Sequence, residues 1–179
     1  MFELFLSFFL LVLFFLVLSI IWRINARKYI SSGTVASAYD AWTQDKLLER
    51  MWGEHIHLGF YPSGNKNVDF RKAKVQFVHE LIKWSDLDKL PKGSRILDVG
   101  CGIGGSSRIL AKYYGFNVTG ITISPAQVKR ARELTPSGLN CNFQVMDALN
   151  LKFEDGAFDA VWSVEAGAHM NDKTRFADE

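Results

Sequence analysis

The chain has 179 residues, of which 48% are hydrophobic, and a formal net charge of +2 at neutral pH. The length and composition fit one globular domain, and the small, scattered charge without a basic stripe argues against nucleic-acid binding. The two cysteines, Cys101 and Cys141, lie far apart and have no CxxC partners. The sequence therefore indicates neither a disulfide framework nor a zinc site.

The first element is an uncharged apolar run from Leu4 to Trp22. As a helix it would be roughly 28 Å long, close to the roughly 30 Å hydrocarbon core of a bilayer. A cleaved signal peptide fits less well, because Glu3 precedes the run and the run is longer than a signal's apolar region. A buried core helix is the third interpretation. We expect residues 4–22 to form one transmembrane anchor.

Basic residues flank this run only on its C-terminal side, at Arg23, Arg27 and Lys28. The positive-inside rule then places the rest of the chain in the cytoplasm. We therefore expect a single-pass membrane protein, with residues 23–37 as a polar linker and the remainder held at the bilayer surface.

Two further helices are predicted between the anchor and the first strand. Apolar residues recur at mostly helical intervals from Ala38 to Trp52, and a loop rich in glycine, histidine and aromatic residues follows, "GEHIHLGFYPSGN". A second helix is better defined, because its apolar residues fall on one face. These are Phe70, Ala73, Phe77, Val78, Leu81 and Trp84. We expect residues 38–92 to form an N-terminal helical cap.

From residue 93 onward the spacing of apolar residues changes, and it predicts strands that alternate with helices. The segments "SRILDVG", "NVTGITI", "CNFQVMD" and "FDAVWSV" have the composition of strands. A helix is predicted from Ser106 to Tyr114, and Ser124 with Pro125 forms an N-cap and first-turn pair that opens another. This order predicts an α/β fold, a Rossmann-like parallel sheet with flanking helices.

Glycines cluster in "DVGCGIGG", where the first strand ends and a helix begins. Glycines at this position let a ligand lie against backbone amides at the switch point of the sheet, whereas a turn that binds nothing needs only one or two. The spacing also satisfies the dinucleotide fingerprint, a weak signal alone. A nicotinamide site, however, needs an acidic residue at the end of the second strand. This chain has "GITIS" there, with no acidic residue.

The segment "ILDVGCGIGGSSRILA" resembles the first motif of class I S-adenosylmethionine-dependent methyltransferases. In that family this loop wraps the methionine end of the cofactor. The resemblance implies that Gly100, Gly102 and Gly104 form the loop, and that Asp98 orients it and the amino group of the methionine.

Two later segments carry the rest of the implied cofactor site. "QVMDAL" resembles the family's third-strand end, which assigns Asp147 and Ala148 to the adenine edge. The usual second-strand acid is replaced by Thr122, and in the subgroup that methylates lipid-like substrates Thr122 and Gln127 would share the ribose contacts. The structural alternatives are that Thr122 is an ordinary strand residue and that Gln127 is an exposed helix residue.

The segments "YDAWTQDKLLERMWGEHIHLGFY" and "WSVEAGAHMNDK" resemble methyltransferases of the tocopherol pathway. The similarity runs from about Val35 to the last residue. It implies C-methylation of a prenylated aromatic quinol in tocopherol or plastoquinone biosynthesis, with S-adenosylmethionine as the methyl donor. A γ-tocopherol or sterol type of substrate, and a non-catalytic membrane-tethered fragment that binds the cofactor, remain alternatives.

Such a reaction must align the ring carbon with the methyl group and help the quinol hydroxyl to lose its proton. Glu165 and His169, just past the fourth strand, and His55, in the loop before the core, are the candidate catalytic residues. Structural roles compete for Glu165 and His169. A metal at the pair His55 and His57 lacks a third ligand nearby, and the reaction needs none.

The family's sheet has seven strands, whereas the sequence stops after the fourth. We therefore expect a core over residues 93–179 that is truncated after the fourth strand, and a parent protein in which the sequence continues. Expressed alone, residues 23–179 are expected to be poorly soluble and inactive, because the apolar fourth strand would lie at an open edge.

Overall fold

The computed structural model describes residues 2–25, 32–62 and 67–179. Its regular elements follow one another as α1 Phe2–Asn25, α2 Ser32–Gln44, α3 Leu47–Trp52, α4 Phe70–Trp84, β1 Arg95–Val99, α5 Gly105–Tyr114, β2 Asn117–Thr122, α6 Pro125–Leu134, β3 Cys141–Val145, β4 Ala160–Trp162 and α7 Lys173–Asp178. Two short 3₁₀ turns lie before β1 and after β4, at Leu87–Lys89 and Gly167–His169. The predicted alternation of strands and helices after residue 93 is confirmed.

The four described strands form one parallel sheet in the order β3-β2-β1-β4. The register pairs Asp98 of β1 with Gly120 of β2 on one side and with Trp162 of β4 on the other. Because the chain moves outward from β1 to β3 and then returns to the other side of β1, the switch point lies between β1 and β4. Ligands bind beyond the carboxyl ends of the strands at such a point, where Asp98 and Val99 end β1.

Both faces of β1 are buried, because successive side chains of a strand point to opposite faces. Ile96 packs with Val78 and Ile82 of α4, and Leu97 packs with Ile121 of β2 in a separate cluster. The sheet therefore has an apolar layer on each side, as parallel sheets require. This packing holds β1 and the loop after it in a fixed position.

Helix α4 buries a narrower stripe than its sequence predicts. Ala73, Lys74, Val78 and Ile82 are buried, and the last three follow the i, i+4 spacing that places residues on one face of a helix. The predicted face also included Trp84, whose side chain is 82% exposed. That part of the prediction is wrong, because Trp84 is the last residue of the helix and lies past the surface that covers the sheet.

The helix predicted from Ala38 to Trp52 is two helices, and the first begins earlier, at Ser32. The break falls at Lys46, whose backbone is left-handed with φ of 53°. The amide of Leu47 donates to the side chain of Asp45 at 2.8 Å, a local bond that competes with the helical one. The linker predicted over residues 23–37 is wrong at residues 23–25 and 32–37, which are helical, and its residues 26–31 lie outside the described residues.

Helix α1 contains the predicted anchor, residues 4–22, and the side chains described in it are those of residues 8–21. Across all side chains that the structure describes, no helix combines the length and the apolar character needed to cross a membrane. The spanning helix is thus not supported by the structure and stays a prediction.

Candidate cofactor and active site

The loop that follows β1 is shaped by three glycines. Gly100, Gly102 and Gly104 have φ of 76°, 56° and 80°, a region in which a side chain strains the backbone. The amides of Gly100 and Cys101 both donate to the carbonyl of Ile121 on β2, at 2.9 and 3.0 Å. The loop is therefore fixed against the neighbouring strand before α5 begins.

The three glycines differ in what a side chain would meet. A Cβ at Gly100 would lie 2.4 Å from the Cβ of Ala166, and one at Gly104 would lie 2.7 Å from the ring of Phe143. A Cβ at Gly102 would meet no atom of the described residues within 4 Å. Protein packing thus explains Gly100 and Gly104, whereas at Gly102 the missing side chain leaves open space in the pocket.

Asp98, at the end of β1, is buried with 3% of its surface exposed. One of its carboxylate oxygens accepts a hydrogen bond from the hydroxyl of Ser107 on α5, at 2.5 Å. Burial raises the pKa of Asp98 to about 7, although the Ser107 bond acts in the opposite direction. Ser107 was not predicted, because its place one turn into α5 becomes meaningful only once the helix is seen beside β1.

Thr122 and Gln127, the predicted ribose-binding pair, are both buried and contact each other. The Thr122 hydroxyl donates to the side-chain oxygen of Gln127 at 2.7 Å. Gln127 lies one turn into α6, where Ser124 caps the helix by accepting from the Gln127 amide at 3.1 Å, so the predicted cap is confirmed. The exposed-helix alternative for Gln127 is excluded by its burial.

The loop after β3 carries Asp147 and Ala148. The carboxylate of Asp147 accepts from the Leu149 amide at 2.9 Å, and Ala148 is buried against Leu97 and Val99. Both residues line the pocket that Asp98 and the glycine loop also line. All the predicted cofactor residues except Gly104 line this one pocket, and Gly104 lies behind the loop against Phe143.

The charged residues that line the described part of this pocket are all acidic. They are Glu54, Asp98, Asp147 and Glu165, of which Glu54 is paired with the guanidinium of Arg108 at 2.6 Å. No lysine or arginine is among the described lining residues. The site therefore favours a ligand with positive charge over one that carries phosphate groups.

Glu165 follows β4 and has a left-handed backbone with φ of 57°, which is uncommon for a residue with a side chain. Its carboxylate accepts from the amide of Leu58 at 3.0 Å, across 107 residues of sequence. This bond ties the loop before the core to the loop after β4, at the mouth of the pocket. Backbone strain of this kind is maintained where the surroundings over-determine the conformation, often at functional sites.

His169 lies at the mouth of the same pocket, and its Nε2 is 2.9 Å from the hydroxyl oxygen of Tyr39 on α2. Burial raises the pKa of Tyr39, so this phenol stays protonated at neutral pH. Sequence reasoning missed Tyr39. It lies in the segment "YDAW", and its separation of 130 residues from His169 hides their contact in the sequence.

His55, in the loop before α4, is buried and lies against the start of α5. A Cβ built at Gly105 would be 2.8 Å from the imidazole ring of His55. Burial lowers the pKa of His55 to about 3, with a smaller contribution from the neighbouring His57. The ring is therefore neutral at neutral pH, which makes it a weak base and a good hydrogen-bond acceptor or donor.

Two side-chain contacts hold the N-terminal helices over the pocket. Asp40 of α2 accepts from the Ser124 hydroxyl and from the Ala126 amide at the start of α6. Arg130 of α6 makes two hydrogen bonds to the Glu49 carboxylate of α3, at 2.7 and 2.8 Å. Tyr39 is placed beside His169 because α2 is docked in this way.

The structure brings two of the predicted catalytic residues, Glu165 and His169, to one side of the pocket mouth, and His55 to the glycine loop. Within residues 2–25, 32–62 and 67–179, no group of three or more histidine, cysteine or acidic side chains is arranged to hold a metal ion. The pair His55 and His57 contact each other instead.

Residues 96–179 match the family model described as a methyltransferase domain. The chain is 60% identical over 159 residues to the 2-methyl-6-phytyl-1,4-hydroquinone methyltransferase of Synechocystis, with 89% of this chain and 50% of that protein covered. The chain thus spans about half the length of the curated relatives that it matches.

Solved structures share the fold. The [4+2]-cyclase SpnF superposes with a TM-score of 0.71 at 29% identity, over 82% of this chain and 53% of that one. A phosphoethanolamine methyltransferase of Haemonchus contortus, in complex with S-adenosyl-L-methionine, gives 0.57 at 25% identity, over 78% of this chain and 29% of that one. Together with the sequence similarity to a quinol methyltransferase, the matched domain shows that residues 96–179 form a methyltransferase domain.

Proposed function

We propose that this protein transfers a methyl group from S-adenosylmethionine to a ring carbon of a prenylated aromatic quinol, in tocopherol or plastoquinone biosynthesis. The observation that carries the proposal is an acid-lined pocket at the carboxyl end of β1, with open space in front of Gly102. The fold alone does not decide the reaction, since a cyclase shares it. The site and the similarity to a quinol methyltransferase both support methyl transfer.

The residues present fit S-adenosylmethionine better than a nicotinamide dinucleotide. Besides Glu54, which is paired with Arg108, three acidic residues and no described lysine or arginine line the pocket. This lining suits a ligand with a sulfonium and an ammonium group, and it disfavours a pyrophosphate. Trp162 lines the same pocket, and its buried indole N–H has no acceptor among the described residues. A ligand that brings an acceptor to this place would satisfy that group.

Each cofactor residue has a distinct task in this proposal. Asp98 would hold the amino group of the methionine, and Gly102 would admit the chain of the methionine against the backbone. Thr122 and Gln127 would contact the ribose hydroxyls, and Asp147 with Ala148 would face the adenine edge. When bound, S-adenosylmethionine supplies an electrophilic methyl group on a positively charged sulfur.

For the quinol, we propose that His169 accepts the hydroxyl proton, which makes the ring carbon electron-rich. Its Nε2 lies within hydrogen-bonding distance of the Tyr39 hydroxyl, which orients the imidazole ring at the pocket. Glu165 is the weaker candidate, because its carboxylate holds the Leu58 amide. His55 is also weaker, because a group with a pKa of about 3 is a poor base at neutral pH.

Product analysis tests the proposed function. The full-length protein is incubated with methyl-labelled S-adenosylmethionine and a panel of 2-methyl-6-phytylquinol, a solanesylated quinol, γ-tocopherol and phosphoethanolamine. We expect label on a ring carbon of a prenylated quinol, and we expect His169→Gln to lower kcat by about a hundredfold while the affinity for S-adenosylhomocysteine stays within about twofold. Label only on the γ-tocopherol oxygen or on phosphoethanolamine would show that the substrate is assigned wrongly.

We also propose that residues 4–22 hold the protein in a membrane, with its catalytic part on the cytoplasmic side. Every large apolar side chain from Phe8 to Ile21 is at least 43% exposed, an arrangement that water disfavours and lipid does not. Arg23, Arg27 and Lys28 follow the run. Such a site would give the enzyme access to prenylated substrates dissolved in the bilayer.

Fractionation with a topology reporter tests the membrane proposal. Deleting residues 4–22 is expected to move the protein from the membrane to the soluble fraction, since the apolar run is then gone. Of the reporter enzymes fused after Ser32, only one that works in the cytoplasm should be active. Activity of a periplasmic or luminal reporter at that position would refute the proposed orientation.

A further inference from the structure

Two buried histidines lie side by side at the glycine loop. The Nδ1 of His55 is 3.1 Å from the Nε2 of His57, and each side chain has less than a tenth of its surface exposed. The ring of His57 also packs against Phe77 of α4, with ring centroids 5.4 Å apart. Both rings are thus held in one orientation, and the hydrogen-bond partners of each ring determine which of its nitrogens carries the proton.

The proton of His57 is fixed by the backbone. Its Nδ1 lies 2.8 Å from the carbonyl oxygen of Leu58, and a carbonyl only accepts, so Nδ1 must carry the proton. Burial lowers the pKa of His57, so the ring is neutral at neutral pH and holds a single proton. Its Nε2 therefore presents a lone pair to His55.

The position of the proton on His55 follows from that on His57. Because His57 Nε2 accepts, His55 Nδ1 must donate, and a neutral His55 ring then has its lone pair on Nε2. His55 lines the pocket beside Gly105, and its Nε2 has no hydrogen-bond partner among the described residues. Lys74 holds the backbone of His55 in place by donating to its carbonyl oxygen at 2.7 Å.

We propose that His57 is a positioning residue that fixes His55 in its Nδ1–H tautomer, so that His55 Nε2 accepts a hydrogen bond from a primary ammonium group of the ligand. In the opposite tautomer His55 would present an N–H to the pocket and would repel such a group. The inference rests on the proposed function, because the ammonium is that of the methionine part of S-adenosylmethionine. Asp98 lines the same pocket, and a single carboxylate supplies only part of the acceptors that a three-donor ammonium needs.

Nitrogen-15 NMR of the ligand-free, full-length protein tests the tautomer directly. The sequence has four histidines, and single His→Gln variants assign their ring signals. We expect His55 and His57 both to show a protonated Nδ1 and an unprotonated Nε2, with His55 unchanged from pH 8 to pH 6 because its pKa is about 3. A protonated Nε2 on His55 in the wild type would overturn the inference.

Substitutions at His57 separate positioning from packing. In His57→Gln the side-chain oxygen can still accept from His55 Nδ1, whereas His57→Leu fills the space without an acceptor. We expect His57→Leu to convert part of His55 to the Nε2–H tautomer and to weaken S-adenosylhomocysteine binding about tenfold, and His57→Gln to stay within about threefold of the wild type. The proposed role is contradicted if His55 has the same tautomer in both variants and both variants bind S-adenosylhomocysteine with the same affinity.

A ligand analogue tests which group His55 meets. With the 2-hydroxy analogue of S-adenosylhomocysteine, which lacks the ammonium, we expect wild type and His57→Leu to bind equally, because the interaction that His57 organises is absent. If the full tenfold difference persists with this analogue, His55 does not meet the ammonium. If wild-type protein binds neither ligand, the proposed function fails, while the NMR result still decides the tautomer.

Discussion

Replacing Gly102 by alanine is expected to lower the affinity for S-adenosylhomocysteine by about a hundredfold or more, although the protein stays folded. The backbone at Gly102 has φ of 56°, and a Cβ there would meet no atom within 4 Å in the part of the chain that the structure describes. The new methyl group would instead occupy the pocket, where the ligand must approach the backbone. The loss should therefore appear in calorimetric titrations far more than in the free energy of unfolding.

Two other glycines provide matched controls for Gly102. Gly93 is also left-handed, with φ of 86°, and a Cβ there would likewise meet no described atom within 4 Å, but Gly93 lies outside the pocket. Gly93→Ala and Gly102→Ala should each cost about 1–2 kcal/mol of unfolding free energy from backbone strain. Gly100→Ala should cost about 1–3 kcal/mol more than either, because of its contact with Ala166.

Urea unfolding followed by circular dichroism measures these costs, and calorimetry measures the binding. The assignment of Gly102 to the ligand fails if Gly102→Ala binds S-adenosylhomocysteine as tightly as Gly93→Ala does. It also fails if Gly102→Ala is as unstable as Gly100→Ala, because the residue would then be explained by packing.

The second large effect is a pH dependence of ligand binding that arises from Asp98. Its pKa in the ligand-free protein is raised from 3.8 to about 7 by burial. An ammonium group needs the carboxylate, so below pH 7 a proton must leave before the ligand can bind. We expect the affinity for S-adenosylhomocysteine to fall about tenfold per pH unit below pH 7, with proton release measurable by calorimetry in buffers of different ionisation enthalpy.

Asp98→Asn is the control for this effect. It should bind the ligand weakly at every pH and without the proton release that Asp98 causes. His55 does not titrate in this window, because its pKa is about 3. Proton release that is the same in Asp98→Asn as in the wild type would assign the titration to another group.

The same shift predicts how stability depends on pH in the ligand-free protein. A carboxyl group whose folded pKa lies above its unfolded value of 3.8 binds more protons in the folded state than in the unfolded one. Its contribution to stability is therefore present below about pH 4 and is lost as pH rises towards 7. Asp98→Asn should remove this part of the pH dependence.

The sequence predicted the elements that local patterns determine. The strands and helices after residue 93, the cap at Ser124 and the glycine loop after β1 follow from periodicity, capping chemistry and turn chemistry, which act over a few residues. The place of Asp98 at the ligand was implied by the resemblance to class I methyltransferases. The break at Lys46 was missed although it is local, because the hydrogen bond from Leu47 to Asp45 competes with a helix that the apolar pattern favours.

What the sequence could not predict are contacts between distant segments. Tyr39 meets His169, and Glu165 meets the Leu58 amide, only because α2 and the loop before α4 fold over the sheet. The different roles of Gly102 and Gly104 were also hidden, because they depend on whether Phe143 or open space lies in front of each backbone. Spacing along the chain carries no record of these neighbours.

The acid-lined pocket beside Gly102 is expected to bind S-adenosylmethionine. Equilibrium dialysis of the full-length protein against tritiated S-adenosylmethionine, with unlabelled S-adenosylhomocysteine or NAD as competitors, tests it most directly. We predict saturable binding that S-adenosylhomocysteine displaces and that NAD leaves unchanged, since the pocket's carboxylates disfavour a pyrophosphate. Displacement of the label by NAD, or the absence of saturable binding, would contradict the claim.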